Sequence, residues 1–188
     1  MLLAIDPGVN NCGLAVLTTE PQVTVLETVN VKNARKFTDA EKVIEKDYNA
    51  RVVKVSHILT SVSDMLSKYP DIQEVSIETP FYNALRPAAY GSLLEVISAI
   101  KYNIVIPRKM KLRMIEPLLI KKMFISVKVT KLMTKKEVMK DFLLAKITAG
   151  AIHYAGDFDT LSEHEIDAIA IGFVSNLFAI EEKLLCSV

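Results

Sequence analysis

The chain has little of what would place it in several common classes. Only two of its 188 residues are cysteines, Cys12 and Cys186. Neither has the spacing of a metal-binding pair, and a single pair is a poor disulfide framework, so a reducing, intracellular compartment is expected. No apolar run reaches the roughly 18 residues that a membrane span needs. Met1-Leu2-Leu3-Ala4-Ile5 leads straight to Asp6 without basic residues, so no secretory signal is expected. The sequence lacks internal repeats, low-complexity tracts and any convincing linker, which favours one domain over residues 1–188. Apolar residues make up 51% and charged residues 24%, the composition of a globular chain rather than a disordered one.

The net charge is only +1, but it is unevenly placed. Between Arg108 and Lys146 stand twelve Lys and Arg against Glu116, Glu137 and Asp141, so this segment carries +9 and the remainder −8. A basic face that meets a polyanion is one reading of this asymmetry, and a solvated helical face is the other.

The first thirty residues read as three antiparallel strands. Leu3-Ala4-Ile5-Asp6 is apolar and ends on an acid, Pro7 to Asn11 is turn chemistry, and residues 13–17 and 23–29 are apolar and rich in β-branched side chains. Val52, Val55, Ile58, Leu59, Val62, Met65 and Leu66 recur at helical spacing and stop before Pro70. Glu74-Val75-Ser76-Ile77-Glu78 is a short strand. A helix over 92–102 and a strand at Ile104-Val105-Ile106 follow, and the alternation implies a parallel portion of sheet covered by helices. Residues 108–130 are the least regular and read as an arm. Thr134 and Glu137 have the form of a capping box opening a helix that ends near Gly150, and Ser162 and Glu165 form a second, opening the final helix.

Three places set an acid where it could serve a site. Asp6 ends an apolar strand before a Pro-Gly turn, and an unpaired charge at the edge of a core is costly. Glu78 ends another apolar strand, ahead of Thr79-Pro80. His164 and Asp167 lie three residues apart near the start of the final helix, which puts them on one face. Converging carboxylates repel unless a cation neutralises them, and hard oxygen donors favour magnesium or manganese. Two such ions can activate a water and stabilise the leaving oxygen in phosphodiester cleavage. Glu165 is explained as the partner of Ser162 in the cap, and Glu163 stands in reserve. Each position also has a plain alternative as a turn, edge or helix-surface residue.

Ala4-Ile5-Asp6-Pro7-Gly8 followed by Gly13-Leu14-Ala15-Val16 resembles the opening hairpin of the RuvC Holliday junction resolvases. Ile77-Glu78-Thr79-Pro80-Phe81 resembles their second acidic strand, and His164-Glu165-Ile166-Asp167-Ala168-Ile169-Ala170-Ile171 their last motif. The resemblance implies an α/β, RNase H-like fold: a mixed five-stranded sheet with helices on both faces. It implies a metal-dependent endonuclease that resolves four-way DNA junctions by paired nicking, acting as a homodimer. Asp6, Glu78, His164 and Asp167 are then the catalytic and metal residues, holding two Mg2+ ions per site with Mn2+ as a substitute. Phe81 matches a family aromatic that wedges into the junction, and Lys135 a lysine near the DNA. Lys121, Lys122 and Lys136 would add phosphate contacts. The departures are His164, where some members carry Asp, and added length at Arg108 to Lys111. They suggest a divergent, phage-like or organellar branch, in the cytoplasm of a bacterial or phage-infected cell or in an organelle.

Two other readings stay open: a flap or fork nuclease of the same fold, and a DNA-binding module that does not cut. A sugar-kinase or actin-like ATPase also opens with strand, Asp, Gly and hairpin. It needs a second phosphate loop and more residues than this chain has.

Overall fold

Among the described residues six strands, β1 (Leu2–Asp6), β2 (Asn11–Thr18), β3 (Val23–Lys32), β4 (Glu74–Glu78), β5 (Lys111–Ile115) and β6 (Ile152–Tyr154), form one sheet in the order β5-β4-β1-β2-β3-β6, with helices on both faces. The structure is a computed structural model that describes residues 1–19, 22–33, 36–82, 84–85, 87–124 and 135–186, with the side chains of 123, 124, 135 and 136 outside the description. β1 (Leu2–Asp6) turns through Pro7 to Asn10 into β2 (Asn11–Thr18), which pairs antiparallel with it and with β3 (Val23–Lys32). The turn is tight: a Cβ on Gly8 would lie 2.2 Å from the Asn11 carbonyl oxygen, so only glycine fits.

α1 (Asp39–Tyr48) is opened by a complete capping box of Thr38 and Glu41 and buries none of its residues. Asn49 ends α1 at a positive φ of 90° and caps α2 (Ala50–Lys68) through its side chain, which accepts from the Arg51 amide. α2 lays Val55, Ile58, Val62, Met65 and Leu66 on the sheet as its spacing predicts. Val52 is an exception: it faces outward and Val53 is buried instead. β4 (Glu74–Glu78) runs parallel to β1.

The next stretch departs from expectation. α3 (Pro87–Ile100) begins earlier than residue 92 and runs on as a π-helical turn over Lys101–Val105. The strand expected at Ile104-Val105-Ile106 is therefore helical. Ile104 and Val105 are buried because the wide turn packs against the sheet, and a short apolar run looks alike in a buried helix and a strand. The strand lies a few residues on, at β5 (Lys111–Ile115), an edge strand parallel to β4. Its Lys111 and Arg113 made it read as part of a basic arm, yet charge at a sheet edge is a common guard against unwanted pairing. Arg113 is spent on Glu74 and Glu182 at 2.7–2.9 Å. The arm also contains α4 (Pro117–Phe124), and residues 125–130 lie outside the described residues.

α5 (Lys135–Thr148) ends where predicted, with Gly150 at φ +74°. Thr134 of its expected cap lies outside the described residues. β6 (Ile152–Tyr154), parallel to β3, is the sixth strand where five were expected; three residues long, it offers little pattern to read. A 3-10 turn over Phe158–Thr160 leads to α6 (Glu163–Cys186). No helix among the described residues is long and apolar enough to cross a membrane.

The two faces of the sheet have different cores. Leu3, Ile5, Leu14, Val16, Val75 and Ile77 meet α2 and α3 on one face. On the other, Ala4 and Ala15 leave room for α6, whose Ala168, Ile169 and Phe173 pack with Phe142 of α5. A Cβ on Gly172 would sit 2.5 Å from a Leu17 methyl, a measure of how closely α6 lies on the strands.

Candidate metal centre

Strand register gathers the site. Asp6, opposite Gly13, is the last residue of β1, and Gly13 is opposite Asn30. Ile5 pairs with Ile77 in the parallel β1–β4 ladder, so Asp6 and Glu78 come at adjacent carboxyl ends of two parallel strands. That edge is where open α/β sheets place their ligands. Side chains alternate across a strand. The inward aliphatic positions therefore put Glu78, Asp6, Gly13 and Asn30 in one row on the α6 face.

Gly13 explains how α6 joins the row. A Cβ there would stand 1.8 Å from the His164 carbonyl oxygen and 3.1 Å from the Glu165 amide nitrogen. The missing side chain lets the first turn of α6 rest on the strand backbone. His164 then reaches Asp6, with its ring Nδ1 2.7 Å from Asp6 Oδ2. Asp167 follows one turn later. The cap foreseen at Ser162 is present: the Ser162 amide donates to Glu165 Oε2 at 2.9 Å, and Ser162 Oγ accepts from the Glu165 amide at 3.4 Å. Glu165 also accepts from Thr28 Oγ1 at 2.9 Å. It faces β3 rather than the acids.

Electrostatics mark the place as short of positive charge. Burial pushes the Glu78 carboxyl up to about 7, and the negative charges of Asp6 and Asp167 add to the rise while Lys121 opposes it. The His164 imidazole is also raised, first by its hydrogen bond to Asp6, against the opposing effect of burial, with the charges of Glu163 and Asp167 adding to the rise. These directions agree: a carboxyl that holds its proton and an imidazole that gains one both answer uncompensated carboxylates. Three carboxylates and an imidazole suit a hard divalent cation. Among the described residues they do not close into a ready metal cluster of three or more donors. Asp6 spends one oxygen on His164 instead. By charge and donor type the residues fit the cation.

The other expected contacts divide. Phe81 follows β4 and is half exposed, with Lys121 Nζ 5.7 Å from its ring centre. Lys121 and Lys122 are exposed on α4. Lys135 and Lys136 open α5, and their side chains lie outside the described residues. Sequence reasoning missed Tyr82, more exposed than Phe81 and set edge-on to Tyr90 of α3 at 6.0 Å. It also missed Asn30, whose side-chain oxygen is buried without a hydrogen-bond partner among the described residues. Its signal was a polar residue opposite the glycine of the motif.

The chain was compared with known proteins. No family model matches it, and no curated protein matches it. Solved structures do. Thermus thermophilus RuvC in complex with a Holliday junction substrate aligns with a TM-score of 0.63 at 20% identity, covering 95% of this chain and 93% of that one. A second Thermus thermophilus RuvC structure aligns with a TM-score of 0.63 at 18% identity over 96% of both chains. The yeast mitochondrial Holliday junction resolvase Ydc2 aligns with a TM-score of 0.58 at 12% identity, covering 100% of this chain and 86% of that one. The fold is that of the RuvC resolvases. The RNase H-like arrangement expected from the three motifs is thus present, with one strand more than foreseen.

Proposed function

We propose that this protein is a metal-dependent endonuclease that resolves four-way DNA junctions by paired nicking, the whole chain serving as one nuclease domain that works as a homodimer. The observation that carries the reading is the row of acids at the ends of β1 and β4 with His164 of α6 closed onto Asp6. A likeness to junction resolvases over nearly the full chain supports it.

Asp6, Glu78, His164 and Asp167 would hold magnesium or manganese, two ions to a site. These ions supply the Lewis acidity that phosphodiester hydrolysis needs. The chain's own part is to concentrate negative charge where the cations bind and to keep it from spreading. Burial of Glu78 serves the first task, because a poorly solvated carboxylate gains more from a cation than a solvated one. Rigid strand ends serve the second. Water attacks the phosphorus in line, leaving a 5′-phosphate and a 3′-hydroxyl. Phe81, held near the site by the end of β4, offers its half-exposed ring to bases at the branch, where stacking is worth about 1–3 kcal/mol per base. Lys121 and Lys122 contact the backbone without reading sequence.

The test is a labelled immobile four-way junction incubated with magnesium, manganese or chelator beside flap and linear duplex controls. Paired, metal-dependent nicks near the crossover, lost in Asp6→Asn while junction binding persists, are expected. Unpaired cuts on flaps would move the function to a broader branched-DNA nuclease. Binding without cutting in either metal would leave a DNA-binding module.

A further inference from the structure

The contacts around Glu165 exceed what a helix cap requires. A capping box is local: the first and fourth residues exchange hydrogen bonds and satisfy the helix's own amides. Here Glu165 Oε2 takes the Ser162 amide at 2.9 Å and the Ser162 hydroxyl at 2.6 Å, which completes the cap. Oε1 is left for a tertiary bond, and it accepts from Thr28 Oγ1 at 2.9 Å, 137 residues away in sequence. Thr28 is opposite Ala15 on β2, two pairs along from Gly13 opposite Asn30, and so points to the same face.

Beyond its first turn α6 is seated on the sheet through Ala168, Ile169, Gly172 and Ser175. In that first turn His164 rests on Gly13, a backbone contact that sets its height above the strand. Glu165 is next in sequence, about 100° further round the helix, and its bond to Thr28 supplies a second fixed point on β3. With two points held, the direction of His164 and Asp167 toward Asp6 is set.

We infer that Thr28 and Glu165 form a positioning clamp that orients the His164–Asp167 face of α6 against Asp6. The catalytic consequence rests on the nuclease reading above; the geometric one does not. Glu165 is a positioning residue, its two oxygens taken up by Ser162 and Thr28.

Thr28→Val keeps the shape of the side chain and removes its hydroxyl, and Thr28→Ser keeps the hydroxyl. The chain has three histidines, His57, His153 and His164, so nitrogen-labelled imidazoles are a compact probe with internal controls. At one fixed pH without metal, Thr28→Val is expected to move the ring signals of His164 and leave those of His57 and His153 in place. Thr28→Ser is expected to restore the wild-type spectrum. In a titration with Mn2+ alone, Thr28→Val should raise the binding midpoint roughly tenfold, as loss of a ligand-orienting hydrogen bond typically does. A Thr28→Val protein that melts earlier but keeps the His164 signals and the Mn2+ midpoint would overturn the clamp, leaving an ordinary structural bond. If His164 moves in Thr28→Val while the wild type neither binds Mn2+ nor cuts DNA, the clamp stands and the nuclease reading fails.

Discussion

The two faces of the sheet share the same strands and do opposite work. Toward α2 and α3 the strands present Leu3, Ile5, Leu14, Val16, Val75 and Ile77, an aliphatic layer closed to water. Toward α6 they carry a second apolar core, with Leu2, Leu17, Val25 and Ile115, but around the site they present Asp6, Gly13, Ala15, Thr28, Asn30, Ser76 and Glu78, small or polar throughout. The dry face supplies rigidity through burial and close packing. The polar face tolerates its charge only because α6 lies close enough to answer it, as Ser175 does for Ser76 at 2.7 Å and His164 for Asp6. Alternation along a strand thus lets adjacent residues serve stability and chemistry separately.

That separation can be tested at two neighbouring positions. Gly13→Ala should have the largest effect, because its methyl group meets the His164 carbonyl. Overpacking of this kind costs about 1–3 kcal/mol, and a displacement of about 1 Å at the reacting groups costs on the order of a hundredfold in rate. Chemical denaturation and junction cleavage should therefore fall together. Leu14→Ala, one residue along and fully buried on the other face, should lose about 2–5 kcal/mol. Its cleavage rate per folded molecule should match the wild type. A Leu14→Ala protein that folds but cuts a hundredfold slower would mean that the faces are coupled.

Glu78→Gln sharpens the comparison through pH. The folded carboxyl sits at about 7 against an ordinary value of 4.5, so the folded state binds more protons between those values. Wild-type stability without metal should therefore fall as pH rises through this window and level off above it. Glu78→Gln removes the penalty. It should be the more stable protein at pH 8 by on the order of 1–3 kcal/mol, and the two should converge near pH 4. Magnesium should restore the wild type more than the variant. Melting curves at pH 4 and pH 8, with and without magnesium, check both statements.

The smallest effect is expected at Glu182, whose carboxylate pairs with Arg113 at the exposed end of α6. Glu182→Ala should lower the melting temperature slightly, and added salt should erase the difference.

How much could be read beforehand follows from the same contrast. β1, β2, β4 and the face of α2 announced themselves through apolar patterning, and Asp6 and Glu78 stood out because acids ending apolar strands are unusual. Elements that lean on context did not. The π-helical turn at Ile104 and Val105 carries β-branched residues that suit a strand equally well, and β6 is three residues paired at an edge. α1 was missed although Thr38 and Glu41 spell a capping box, because no apolar stripe follows to mark a buried face. Of the site, the four ligand candidates were legible one by one. Their meeting came from the resemblance alone and not from the residues themselves, since it depends on Gly13 making room for a helix 151 residues later.

The bond between Asp6 and His164 spans 158 residues of chain. Closing a loop of that length costs about 4–5 kcal/mol in entropy before any contact repays it, so the seating of α6 belongs late in folding. Synthesis at about 5–20 residues per second separates the two residues by roughly 8 to 30 s. Throughout that interval the nascent strands already carry Asp6 and Glu78, but the helix that brings His164 and Asp167 to them does not yet exist.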